Sequence, residues 1–188
     1  MAEVEGQVLV EELDAEREAR RRLALAQIRQ YPDPVLRMTA NGVDAFDDEL
    51  RRLVERMKVL MVEAHGVGLA ATQVGILRRL FVFSRGDDDG PVAVVNPQIV
   101  SRSDDTEVDD EGCLSLQGVA APVERAVSVR LEGQDEAGAE IGFDLEGFPA
   151  RTVQHELDHL DGVLIIDRTT PEARREALSA LRPRVVLR

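Results

Sequence analysis

His155 and His159 stand four positions apart with Glu156 between them, in the run QHELDHLDG. On a helix, at about 100° per residue, the two imidazoles lie about 40° apart on one face and Glu156 lies about 100° from His155. Imidazoles so placed reach one metal ion, and the glutamate is positioned to handle a proton of metal-bound water. The plain alternative is a solvent-exposed histidine pair. With only three histidines in the chain, the pattern arises by chance on the order of once in two hundred such sequences, which favours the metal reading. Val153, Leu157 and Leu160 fall on roughly the opposite face. That stripe should pack on the core, leaving the histidines to face solvent or a second pocket.

A catalytic site needs a third protein ligand. His65, the remaining histidine, sits beside a glycine-containing loop, HGVGLAATQVG, and reads as a loop residue. Cys113, in EGCLSL, is the other soft donor. A lone cysteine is usually a small buried hydrophobe. This one follows a glycine in the acid-rich stretch DDTEVDDEG and not a β-branched strand, which favours the ligand reading. A thiolate and two imidazoles would leave a fourth position open for water.

Several elements must position these groups. Phe46, Leu50, Leu53, Val54, Met57, Leu60, Met61 and Ala64 fall at helical spacing and predict a helix over 46–64, with the methionines as core filler. RLFVFS and VAVVNP flank the acidic tip RGDDDGP as a hairpin, and QIVSRS, AVSVRLEGQD and AEIGFDLEG continue the strands. The Asp triplet lacks the spaced ligands of a calcium loop and reads as a solvated turn. The histidine helix should begin near Pro149 and end at Gly162. A last helix should start at Pro171, capped by Thr170 and stopped by Pro183. The order predicts an α+β fold: mostly antiparallel sheet packed around the helix carrying His155 and His159, with a further C-terminal helix. Residues 1–27 read as a charged, helical N-terminal extension, followed by one catalytic domain over 28–188. The two prolines of YPDPVLR mark a fixed, extended lead into that domain.

At 188 residues the chain is long enough for a real core, which its scarce aromatics leave to aliphatic side chains. A net charge of −13 argues against direct nucleic-acid binding. No run approaches the ~20 apolar residues of a membrane span. The acidic N-terminus lacks the features of a signal peptide, so a cytoplasmic location is expected, and a single cysteine suits a reducing compartment.

Three segments, GVGLAATQ at 66–73, EGCLS at 111–115 and QHELDH at 154–159, together resemble the three signature motifs of the peptide deformylase family. PDPVLR and LDGVLIIDR also resemble family segments, and the likeness covers roughly residues 28 to 181. It implies a hydrolase that removes the formyl group from the N-terminal formyl-methionine of nascent bacterial polypeptides, releasing formate and a free amine. It also implies Cys113, His155 and His159 as ligands of one divalent metal ion, most often Fe2+, with Zn2+, Ni2+ or Co2+ as substitutes. Glu156 would be the general acid/base for metal-bound water as nucleophile. Gln73 and the Leu114 N–H would be the oxyanion donors. The partners implied are N-formylmethionyl nascent peptides, met near the ribosome exit.

Gly66 and Gly68 read as ordinary turn residues or as places where a substrate backbone approaches closely, and an extended peptide could then add to a strand edge. Val67 and Gly112 complete the expected substrate-binding set. Arg125 resembles an arginine of the family that would pair with Glu111 and hold the cysteine loop; a solvated strand arginine is the alternative. Three other functions compete: a zinc peptidase, a Cys–His thiol hydrolase and a structural metal-binding domain. Coincidence of all three motifs argues against the first. Survival in chelators would mark the second, and four protein ligands the third.

Overall fold

The computed structural model describes residues 2–86 and 90–181, with side chains from residue 14 onward. Helices α1 (Ala2–Leu25) and α2 (Asp48–Glu63) come first, followed by strands β1 (Gly68–Ala70), β2 (Leu80–Ser84), β3 (Pro91–Arg102), β4 (Thr106–Gly112), β5 (Ala120–Ala126), β6 (Ser128–Gln134) and β7 (Glu140–Glu146). Helices α3 (Phe148–Leu160), α4 (Ile165–Arg168) and α5 (Pro171–Ala180) close the chain. The strands form a five-stranded antiparallel sheet in the order β1-β2-β3-β6-β7 and a separate antiparallel pair, β4-β5.

β2 shows why the layers form. Its run LFVFS is buried on both faces, as expected of a strand covered from both sides. Leu80 and Val82 join the apolar stripe of α2, whereas Phe81 and Phe83 face Val153 and Leu160 of α3. The sheet is thus sandwiched between α2 and the histidine helix. Leu116, Val123, Leu164 and Ile165 build a third apolar cluster, joining the β4-β5 pair to α4 and α5. This is the expected α+β architecture, with sheet on more than one side of α3.

Helix termini follow local chemistry. The Asp47 side chain accepts the Leu50 N–H at 2.9 Å, and Thr170 accepts that of Ala173 at 3.2 Å. Asp47 therefore caps α2, which begins at Asp48, two residues after Phe46. Gly162, at φ 73°, follows the last turn of α3.

Three sequence expectations change. VAVVNP and QIVSRS merge into the single strand β3, whose pairing with β6 is broken by register shifts between Val95 and Gln98 and between Ile99 and Ser101. The acidic stretch before Cys113 is itself a strand, β4, in which Glu111 is the buried residue. The glycine-containing loop holds β1 and a 3-10 turn over Ala71–Val74. The hairpin of β2 and β3 forms as expected, while Asp87 to Asp89 at its tip lie outside the described residues, as does Pro183. No helix among the described residues is long and apolar enough to cross a membrane.

Candidate metal centre

α3 is buried on nearly every side, which defines what its histidines can face. Val153 and Leu160 pack into the sheet, and Gln154 bonds to the Ala126 backbone through both halves of its amide, at 2.9 and 3.2 Å. His155 lines a cleft and does not face bulk solvent, while His159 is 1% exposed and sits behind it. Their Nε2 atoms lie 3.2 Å apart, and Cys113 Sγ lies 3.2 Å from His159 Nε2 across 46 positions of sequence. The three ligand atoms all fall within 4.8 Å of one another.

This donor set fits a metal ion. Bonds of about 2.0–2.3 Å to a tetrahedral cation place ligand atoms roughly 3.3–3.6 Å apart, close to the spacing seen. His155 Nδ1 meets the Glu111 carboxylate at 2.9 Å, which directs its Nε2 toward the shared point. His65 is exposed and lies outside the cluster. Burial works to lower His155, but the Cys113 sulfur and the Glu111 carboxylate outweigh it and hold its imidazole well above the ordinary value. Burial, aided by His155, pushes His159 well below it. A cation bound to both Nε2 atoms would displace the proton that His155 holds.

Glu156 is 4% exposed, and burial pushes its carboxyl up to about 7. Its Oε2 has no hydrogen-bond partner among the described residues. Gln73 has a defined orientation. Its Oε1 accepts the Ala70 N–H at 2.9 Å, so its Nε2 must point the other way, toward Ser115 Oγ at 3.1 Å and Cys113 Sγ at 3.7 Å. The Arg29 N–H donates to the Gln73 carbonyl at 2.7 Å, and Gln30 Nε2 donates to the Leu114 carbonyl at 3.0 Å. Arg29 and Gln30 thus brace both expected oxyanion donors, and YPDPVLR after them, expected to be extended, instead forms a turn and a 3-10 helix over Pro34–Arg37. Among the described residues no acceptor takes the Leu114 N–H.

A cleft of about 600 Å³ opens over these groups. Gly66, Val67 and Gly68 line one wall, and Gly112, Cys113 and Leu114 line another. Of the residues expected at the site, all but His159 line this cavity, and His159 lies behind them against Cys113 and His155.

Sequence reasoning undervalued the charges behind the ligands. Glu111 accepts from Arg125 at 2.9 and 3.0 Å and from Arg151 at 2.9 Å, all three side chains being buried. Burial would raise its carboxyl, but His155 and Arg125 outweigh that and bring it down to about 2. Arg125 also reaches Asp158 at 2.6 Å, and Arg168 closes the chain onto Asp158 at 2.7 Å. Arg125 is a buried bridge, not a solvated strand residue. The period-two pattern of β5, which buries Ala121, Val123 and Arg125, was the signal available. Arg151 and Asp158 had no comparable signal. Gln117, where the family resemblance implies a proline two residues beyond EGCLS, is exposed at the cleft, and Leu116 before it is fully buried in the third apolar cluster.

Comparison with known proteins gives a consistent result. Residues 25–175 match the model of the polypeptide deformylase family. The chain is 49% identical to a peptide deformylase of Thermotoga neapolitana over 148 residues, 79% of this chain and 89% of that protein. The crystal structure of peptide deformylase from Thermotoga maritima is similar with a TM-score of 0.73 and 48% identity, covering 77% of this chain and 97% of that one. Peptide deformylase 1B of Arabidopsis thaliana, solved with an inhibitor, gives 0.78 and 42%, covering 82% and 89%.

Proposed function

This chain belongs to the polypeptide deformylase family, and we propose how its own residues remove the formyl group from N-formylmethionyl nascent peptides. The observation that carries the proposal is the convergence of Cys113, His155 and His159 beside a buried Glu156 with a free carboxyl oxygen.

Cys113, His155 and His159 hold one divalent ion, for which we propose Fe2+. Such an ion supplies Lewis acidity that makes hydroxide available near neutral pH. Glu156 accepts a proton from the attacking water as its oxygen bonds to the formyl carbon. The same carboxyl returns that proton to the methionine nitrogen as the C–N bond breaks, leaving formate and a free amine. Negative charge on the formyl oxygen is met by Gln73 Nε2–H and the Leu114 N–H, both fixed before the reaction begins.

The peptide lies extended along the wall formed by Gly66, Val67 and Gly68. β1 is an edge strand of the five-stranded sheet, so main-chain pairing there would tolerate many residues after methionine. Gly112 leaves the opposite wall open, since a side chain there would meet nothing within 4 Å. We place this work in the cytoplasm, near the ribosome exit, where a formylated N-terminus first emerges.

The test is formate release from formyl-Met-Ala-Ser by protein purified without oxygen and loaded with ferrous iron, beside Glu156→Gln. Formate from the wild type, with at least a 10²-fold loss in a variant that keeps its metal, is the expected result. An equally active Glu156→Gln would remove the proposed acid/base, and no formate from folded, loaded wild type would sink the reading for this substrate.

A further inference from the structure

The family match begins at residue 25, so almost all of α1 lies outside it. Yet the end of this helix forms part of the cleft, where Arg21 and Leu25 line the same cavity as Gly66, Cys113 and Glu156. Burial holds it there. Ala24 is fully buried and Ile28 is 3% exposed, both in the apolar cluster of α2. Arg21 precedes Ala24 by three positions and Leu25 by four, so helix geometry carries it to the same side.

Most other charges around the cleft are committed. Glu111 and Arg151 neutralise one another in the buried network, and His155 and Glu156 belong to the reacting centre. The exposed Asp110 and the loop residue His65 remain, together with Arg21. Among the described residues Arg21 has one ion partner, Glu18, at 3.7 Å on the same helix, with both side chains about half exposed. Its Nε is buried with no hydrogen-bond partner among the described residues. A guanidinium carries five donors in a planar fork, and one long contact leaves most of them unused.

The formyl group abolishes the charge of the substrate's terminal amine, so any charge the cleft can read lies beyond the methionine. We infer that Arg21 is a specificity-determining residue that pairs with a carboxylate of the substrate downstream of formyl-methionine. That carboxylate is either an acidic side chain or the free C-terminus of a short formyl-peptide. The inference rests on the deformylase reading above. Because the contact is remote from the reacting bond, it acts alike on ground and transition states and shows in KM, not kcat.

The test compares kcat/KM for three C-terminally amidated peptides, formyl-Met-Ala-Ser, formyl-Met-Ala-Asp and formyl-Met-Ala-Lys, and for formyl-Met-Ala-Ser with a free C-terminus. Iron-loaded wild type, Arg21→Ala and Arg21→Glu are measured at low and high salt. Wild type should favour the Asp over the Lys peptide, or the free acid over the amide, by about three- to fivefold, the size of a half-exposed ion pair. Which pair differs identifies the carboxylate. The preference should fade in salt, vanish in Arg21→Ala and reverse in Arg21→Glu, with kcat on the neutral amide unchanged. Ratios identical in wild type and Arg21→Ala, with the neutral amide still hydrolysed, would overturn the role of Arg21 alone. No formate from any peptide would overturn the deformylase reading and this inference with it.

Discussion

A β-carbon built on Gly68 would lie 2.7 Å from the carboxyl carbon of Glu156 and 2.8 Å from its Cγ. The missing side chain at 68 is therefore what admits the glutamate, in addition to any room it leaves for substrate. Gly68→Ala should push the carboxylate aside. We expect kcat to fall by about 10²-fold, as misplacement of a reacting group by an ångström commonly costs, with metal content unchanged. Wild-type kcat in Gly68→Ala would show that the position of Glu156 is not critical.

Gln73 is held at both ends of its amide, so its donor is oriented before substrate arrives. Gln73→Leu should lower kcat by about 10²–10³-fold and leave KM nearly unchanged, since the charge it meets develops only in the transition state. Steady-state kinetics on formyl-Met-Ala-Ser decide this, and a change confined to KM would argue against the oxyanion role.

Cys113 is the proposed ligand from outside α3. Cys113→Ala should reduce bound metal per chain, read by elemental analysis after dialysis, and activity should fall in proportion. Chelation of the wild type should act likewise, with ferrous iron restoring turnover. Full metal occupancy in Cys113→Ala would eliminate it as a ligand.

Arg125 joins Glu111 to Asp158 in the interior. Replacing one partner of a buried ion pair leaves the others poorly compensated, at about 3–5 kcal/mol. Arg125→Met should lower Tm by roughly 6–20 °C for a domain of this size. A melting temperature within 2 °C of wild type would mean that Arg151 and Arg168 suffice to neutralise the two acids.

Asp167 accepts from Arg37, from the Leu164 N–H at 2.9 Å and from Arg174 at 3.1 Å. Burial would raise its carboxyl, but Arg37 and the Leu164 N–H outweigh it and hold the group below the ordinary value of 3.8. A lowered value in the folded state means that the ionised form contributes stability above 3.8, which is lost as pH falls through the folded value. Asp167→Asn should therefore melt below wild type at pH 7, and the gap should close in acid below about pH 4. A gap independent of pH would assign the loss to something other than the charge.

Local pattern made much of this molecule legible. The stripe from Leu50 to Met61 set α2, Thr170 set the start of α5, and the spacing of His155, Glu156 and His159 placed all three on one helix. Such features depend on residues within a turn or two of one another, where helix geometry leaves few alternatives. The strand β4 was less legible, because its acids carry low β-propensity and only pairing with β5 makes it a strand.

The sequence by itself determined which groups could do chemistry, and through three motifs which family they belong to. The tertiary structure decided how they meet. It brings Cys113 to His159, fits Glu156 against the bare backbone of Gly68, and turns Arg125 inward between two acids. It also carries Arg21 to the mouth of the cleft. These relationships join elements distant in sequence, and their energies depend on burial. A charge or a missing β-carbon has no local signature until the opposing surface is in place.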